Sequence, residues 1–298
     1  MCHLRRLGIL LAALGATLLL DGCDGILAPV GPVGSGERTI LLNALAIMLA
    51  IVIPTMLATV AFAWWFRASN ERARYLPTWA YSGRLELIVW SIPALVVFFL
   101  GGIAWISSHE LDPANPLPGK EPPVEIDVVS LDWKWLFIYP REGVASVNRL
   151  VIPTGVPLHL RITSATVMNV FFVPRLGSEI YSMYGMQSQL NLQADAPGEY
   201  LGLSAHFSGD GFSDMNFQVQ AVSPAQFEAW AMSTHEGDGP SLDQAAYRLL
   251  LRQTQNVKPY TYPTVAAGLF DAILMQKLPP GDGPAATHHA KPVAAKAE

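Results

Sequence analysis

Charge is scarce in this 298-residue chain: Asp, Glu, Lys and Arg together make up 14%, against about 25% in ordinary soluble domains. That deficit excludes a disordered chain, argues against an ordinary cytosolic enzyme and points to a part that sits in lipid. Cysteine is scarcer still. The two cysteines, Cys2 and Cys23, both fall within the first 23 residues. No disulfide framework, Cys-x-x-Cys site or multi-thiolate metal site can therefore exist downstream. Long basic runs are absent and the net charge is −5, which removes support for a nucleic-acid partner.

What is present is apolar sequence: 51% of residues are hydrophobic. Residues 1–22 read as a secretory signal peptide, with Arg5 and Arg6 ahead of an apolar core too short to span. That stretch ends Leu20-Asp21-Gly22-Cys23, which resembles the bacterial lipoprotein box, although Asp21 departs from the small or apolar residue usual there. The resemblance implies cleavage before Cys23 and its lipidation. The alternative is a leader cleaved elsewhere or retained, with Cys23 a bystander. Residues 40–66 and 87–106 carry no charged side chain. Either run, at about 1.5 Å per helical residue, can cross a hydrocarbon core of about 30 Å. Tryptophans at or near the ends of both runs (Trp64, Trp65, Trp90, Trp105) fit an aromatic belt.

Loop charge orients the resulting hairpin of 40–106. Segment 67–84 holds Arg67, Arg72, Arg74 and Arg84 against Glu71, whereas 107–298 holds 12 Lys and Arg against 19 Asp and Glu. The positive-inside rule puts 67–84 in the cytoplasm and both flanking parts, including 23–39, in the periplasm. From about residue 120 the pattern turns to short strands: 124–130 alternates as a half-buried strand does, and similar runs recur at 133–139, 150–152, 157–163, 169–173, 187–193, 199–204 and 216–222. This spacing predicts a β-sandwich or barrel over 120–222. Ser223 reads as an N-cap with Pro224 at the first helical position. Helical stretches at 223–232, 241–253 and 264–277 make a C-terminal arm over 223–278, and 279–298 reads as a disordered tail. The fold class is an α+β membrane protein. Topology alone leaves a complex subunit, a chaperone and a sensor open.

Ordered motifs narrow this. Arg84-Leu-Glu-Leu-Ile-Val-Trp-Ser-Ile-Pro93, Asp132-Trp-Lys-Trp135, Val167-Met-Asn-Val-Phe-Phe-Val-Pro-Arg-Leu-Gly177 and Ser204-Ala-His-Phe-Ser-Gly-Asp-Gly-Phe-Ser-Asp-Met215 resemble, in order, segments of subunit II of the haem-copper respiratory oxidases. The resemblance covers roughly 23–275 and implies a cupredoxin-like sandwich. In cytochrome c oxidases of that family the last loop reads Cys-x-x-x-Cys-x-x-x-His-x-x-Met and, with an earlier His, holds a dinuclear copper centre. Here the cysteine positions are Ser204 and Ser208, the loop histidine is Phe212, the earlier histidine is Asn169, and Met215 alone is retained. Hydroxyls cannot replace bridging thiolates for two soft copper ions. Cytochrome c oxidase is therefore rejected, and the chain resembles the bo-type ubiquinol oxidases, whose second subunit lacks this centre.

That resemblance implies no cofactor on this chain. Haems and copper are expected in subunit I, which with smaller membrane subunits and membrane lipid forms the partner set. Ubiquinol is reached through subunit I, and no cytochrome c is expected. It also implies a role for Glu86: the matching glutamate lies at the entrance of a proton path, where an ionisable residue at the end of a span is a functional candidate. A snorkelling or helix-capping carboxylate is the competing reading. His206, and the tail pair His288 and His289, read as ordinary loop residues, and Trp133 and Trp135 as packing residues. The alternative of a different class is a membrane-tethered β-sandwich lipoprotein for binding or oxidase assembly.

Overall fold

The computed structural model describes residues 25–74, 76–119, 121–281 and 283. The signal peptide, Cys23, His288, His289 and nearly all of the 279–298 tail lie outside the described residues. The chain divides into two compact units, Gly36–Asp112 and a second that joins the segment before it to the segment after it.

The first unit is built on two helices, α1 (Pro32–Trp65) and α2 (Gly83–Glu110). Both are long and apolar enough to cross a membrane, and none of their most apolar stretch is buried within the chain. A helix apolar on every side needs lipid or other helices around it. Both helices extend beyond the uncharged runs that mark them in the sequence. Charged residues such as Glu37 and Arg84 interrupt hydropathy, but they do not interrupt backbone hydrogen bonding. Pro32 stands at the first helical position, where its missing N–H is no loss. The first turn belongs to the other unit: Val33 is buried in the sandwich core, and the Gly34 amide donates to the Leu176 carbonyl at 3.0 Å.

The second unit is a two-sheet sandwich. Its strands are β1 (Val124–Leu131), β2 (Lys134–Tyr139), β3 (Val144–Val147), β4 (Arg149–Pro153), β5 (Leu158–Ser164), β6 (Asn169–Val173), β7 (Gly177–Ser182), β8 (Ser188–Leu192), β9 (Gly198–Ser204) and β10 (Asn216–Val222). After them come α3 (Pro224–His235), α4 (Gln244–Leu250), β11 (Tyr260–Tyr262) and α5 (Leu269–Leu274). One sheet has the order β11-β3-β2-β1-β5-β8 and the other β4-β10-β9-β6-β7. Inward-facing Trp135, Phe137, Phe171 and Phe217 interlock between them, with Phe171 stacked on Phe217 at 5.2 Å. The short strands β3, β7 and β11 are not expected from the sequence: Ala, Ser and Glu dilute the apolar alternation of β3 and β7, and β11 is only three residues long, too short to show a period.

Two expectations are corrected here. The first is that β1 is half-buried; its last six residues are buried on both faces. Val129, Leu131, Leu136 and Ile138 turn outward into a second core with Leu242, Tyr247, Leu250, Phe270 and Ile273 of the C-terminal arm. The second is helix length. The arm is more irregular than its sequence suggests: α4 and α5 are only short helices, whereas α3 runs on to His235. Ser223 and Gln226 form a reciprocal capping box at the start of α3.

Candidate functional site

The positions singled out by spacing converge. Asn169 opens β6 and Ser204 closes β9, while Met215 stands directly before β10; the β6–β9 and β9–β10 pairings bring all three to one end of the five-stranded sheet. Ser204 Oγ donates to Asn169 Oδ1 at 3.2 Å. Ser208 Oγ points to Met215 Sδ at 3.9 Å. The Ser204 amide donates to the Met215 carbonyl at 3.1 Å, and the Ala205 amide to the Val170 carbonyl at 3.2 Å. Asn169, Ser204, Ser208 and Met215 are all buried. Phe212 begins a single 3₁₀ turn (Phe212–Asp214) and meets Phe207 edge-on at 5.6 Å. His206 is half-buried beside Tyr181, with ring centroids 6.5 Å apart.

The loop positions singled out in the sequence thus offer two hydroxyls, an amide, a thioether and a phenyl ring, with Asn169 against Ser204 and Ser208 against Met215. None of these is a thiolate, and Phe212 offers no lone pair. Donors of this kind do not fit a dinuclear copper centre. The Ser204 hydroxyl and the Asn169 amide instead bond to one another and to backbone oxygen, and the Ser208 hydroxyl turns to the Met215 sulfur, so that these buried polar groups find partners within the loop. Among the described residues no group of three or more His, Cys, Asp and Glu side chains is placed to hold a metal ion.

The loop is clamped from the β1–β2 hairpin. Trp133 occupies its tight turn with φ of 61°, and its indole N–H donates to the Ser208 carbonyl at 3.1 Å. Trp135, on β2, is fully buried in the aromatic core. Between them Lys134 points the other way, beneath the arm. Its ammonium donates to the Arg252 carbonyl at 2.8 Å and to Thr254 Oγ1 at 2.7 Å. Burial lowers Lys134 to about 8, and the neighbouring Asp132 carboxylate opposes that shift. A second buried polar link, Arg161 to Asp127, is bidentate at 2.6 and 2.8 Å. Burial pushes the Asp127 carboxyl up while the guanidinium opposes it. Lys134, Asp127 and Arg161 escape the sequence reading. The signal was a charged residue inside each buried strand, at Asp127 in β1, Lys134 in β2 and Arg161 in β5.

Glu86 lies in the helical unit, exposed in the first turn of α2, with its amide donating to the Ser82 carbonyl at 3.0 Å. It is not part of the loop cluster.

A sandwich carrying this ligand-free loop, together with two apolar helices, defines the class: an oxidase subunit II whose exported domain has no dinuclear copper ligands. Residues 127–222 match the family model for the periplasmic domain of cytochrome c oxidase subunit II. Over 267 residues the chain is 46% identical to a ubiquinol oxidase subunit 2 from Acetobacter aceti, covering 89% of this chain and 86% of that one. It is 45% identical to a cytochrome bo(3) ubiquinol oxidase subunit 2 from Pseudomonas aeruginosa, covering 93% and 83%. A solved structure, the periplasmic domain of cytochrome oxidase subunit II from Bradyrhizobium japonicum, aligns with 39% of this chain and 96% of its own at 20% identity and a TM-score of 0.37. The chain belongs to the ubiquinol oxidase subunit 2 family. It is thus a subunit of an oxidoreductase complex, and its two helices and exported domain fit the inner membrane.

Proposed function

We propose that this chain is the second subunit of a proton-pumping respiratory ubiquinol oxidase and that it carries no redox centre itself. The observation that supports this reading is the loop 204–215, closed by hydrogen bonds among Asn169, Ser204, Ser208 and Met215 where copper ligands would stand. Electrons that cannot be received at this loop have to enter elsewhere. They enter from ubiquinol in subunit I and reach oxygen through the haems and copper held there, giving water. The exported domain and the spans serve assembly with subunit I and smaller membrane subunits, and no cytochrome c docks.

Glu86 supplies the chain's chemical contribution. Loop charge puts the start of α2 at the cytoplasmic surface. A carboxylate there can take a proton from water and release it inward, which is the work of a titratable group at a membrane boundary. Cys23 carries the lipid, the mature chain is multi-pass, and its large unit faces the periplasm.

The test is purification of the full chain from its native membrane. A multi-span haem protein should co-purify, and the complex should consume oxygen with ubiquinol but not with reduced cytochrome c. Copper added to the full chain in detergent should give no purple mixed-valence spectrum. Cytochrome c-driven turnover, or that spectrum, overturns the reading. Mass spectrometry of the mature N-terminus tests the lipid: an unmodified Cys23 thiol rejects it.

A further inference from the structure

Between the spans the chain concentrates arginine and aromatic side chains in a way that the proton role of Glu86 does not use. Arg67, Arg72, Arg74 and Arg84 stand against one acid, Glu71, and no lysine occurs in the segment. Exposed aromatic residues flank Arg67, Arg72 and Arg74 on both sides, Trp64, Trp65 and Phe66 before and Trp79 and Tyr81 after, with Arg84 just beyond. The backbone between them is a folded turn. Asn70 Nδ2 donates to the Trp65 carbonyl at 2.6 Å and so satisfies the end of α1, while Asn70 Oδ1 accepts from the Arg72 amide at 3.2 Å. The Arg67 guanidinium lies 4.9 Å over the Trp64 ring, and its Nε donates to Ser69 Oγ at 3.0 Å. All four arginines are exposed, and no described carboxylate is within ion-pair distance of any of them.

We propose that this segment binds the headgroups of anionic phospholipids, with Arg72 and Arg74 as the principal phosphate contacts. The proposal rests on the reading that 67–84 faces the cytoplasm. Tryptophan and tyrosine rings settle at headgroup depth. Arginines flanked by them on both sides lie at the level of lipid phosphate. Guanidinium presents a planar fork that matches phosphate oxygens, which the point charge of lysine does not. Net charge makes the choice among lipids, since each basic residue near an anionic leaflet adds roughly a fivefold preference. An acidic protein surface would satisfy the same charge but would not call for exposed aromatics on either side.

The experiment uses the full chain in detergent, supplied with equal phosphatidylglycerol and phosphatidylcholine and read by native mass spectrometry. Wild type should retain phosphatidylglycerol over phosphatidylcholine by about tenfold or more, and the preference should shrink in high salt. Arg72→Gln/Arg74→Gln should lose most of that preference, while Arg141→Gln, on the exported unit, should keep it. Equal retention of the two lipids, or an unchanged preference in the double variant, overturns the proposal. Displacement of the lipid by inorganic phosphate at equal concentration would mean a phosphate site and would also overturn it. In the assembled oxidase the same preference should persist; its disappearance there would assign the arginines to a partner protein. Labelling Ser69→Cys with an impermeant thiol reagent on spheroplasts separates this from a failure of orientation. Labelling from outside would show that the topology is wrong, whatever lipid binds.

Discussion

Trp133 holds a backbone conformation that bulky side chains seldom adopt, with φ of 61°, a state worth on the order of 1–3 kcal/mol of strain. It persists because its N–H bonds Ser208 and its ring lies on Gly211. A Cβ at Gly211 would come within 2.4 Å of that ring. Gly211→Ala should therefore destabilise the full chain by about 1–3 kcal/mol. Trp133→Phe, which loses the donated hydrogen bond and part of the buried indole that packs on Gly211, should lose about 2–3 kcal/mol. Urea unfolding followed by tryptophan emission measures both, and equal stabilities would show that the clamp is idle. Lys134 gives a pH signature. Its folded value is about 8, whereas an unfolded lysine keeps its proton to about 10.4. Between those values the unfolded chain binds more protons, so stability should rise with pH from about 8 to 10, by on the order of 1–3 kcal/mol. Above pH 10 the sign reverses. Buried Tyr139 and Tyr247 are held protonated by desolvation while unfolded tyrosine ionises. In Lys134→Met the rise should vanish and the fall above pH 10 should remain.

At the scale of elements, the arm and the segment before α1 each complete a surface that the strands alone leave open. The arm covers Val129, Leu131, Leu136, Ile138, Ala145 and Val147. A chain ended after residue 238 should expose this patch, bind a hydrophobic dye and aggregate, because a contiguous apolar face of that kind is rarely left bare. Dye binding equal to wild type would mean that the sheet face is closed some other way. Before α1, the Val30 amide donates to the Arg175 carbonyl and its carbonyl accepts from the Asp195 amide, each at 2.7 Å. A Cβ at Gly31 would stand 2.1 Å from the Gln193 carbonyl oxygen, a backbone atom that cannot swing aside. Gly31→Ala should displace this segment and raise protease cleavage between residues 25 and 36. Resistance equal to wild type would show that the backbone yields there.

The whole molecule matters for Glu86, since the proton-entry role proposed for it can be read only in the assembled enzyme. Glu86→Ala should lower oxygen consumption per haem several-fold with haem content and assembly intact, because alanine offers no titratable group. Glu86→Asp should lose less. Poor assembly with normal turnover per haem would make Glu86 a boundary residue only. Turnover per haem measured across several pH values decides between the two.

The sequence by itself determined the two long apolar helices, most strands and a loop without thiolate ligands. Each of these rests on local pattern or on residue identity: long uncharged runs, alternation, and the chemistry of Ser204, Ser208, Phe212 and Asn169 at fixed spacing. It also marked the capped start of α3, through Ser223 and Pro224, while the reciprocal bond from Gln226 came from the structure. Tertiary structure decided what fills the vacated loop, because the bonds from Ser204 to Asn169 and from Ser208 to Met215 join side chains that meet only once β6, β9 and β10 pair. It decided the second core as well. Whether the outward face of β1 meets water or an arm depends on a segment more than a hundred residues further on, and alternation within a strand carries no information about what lies over it.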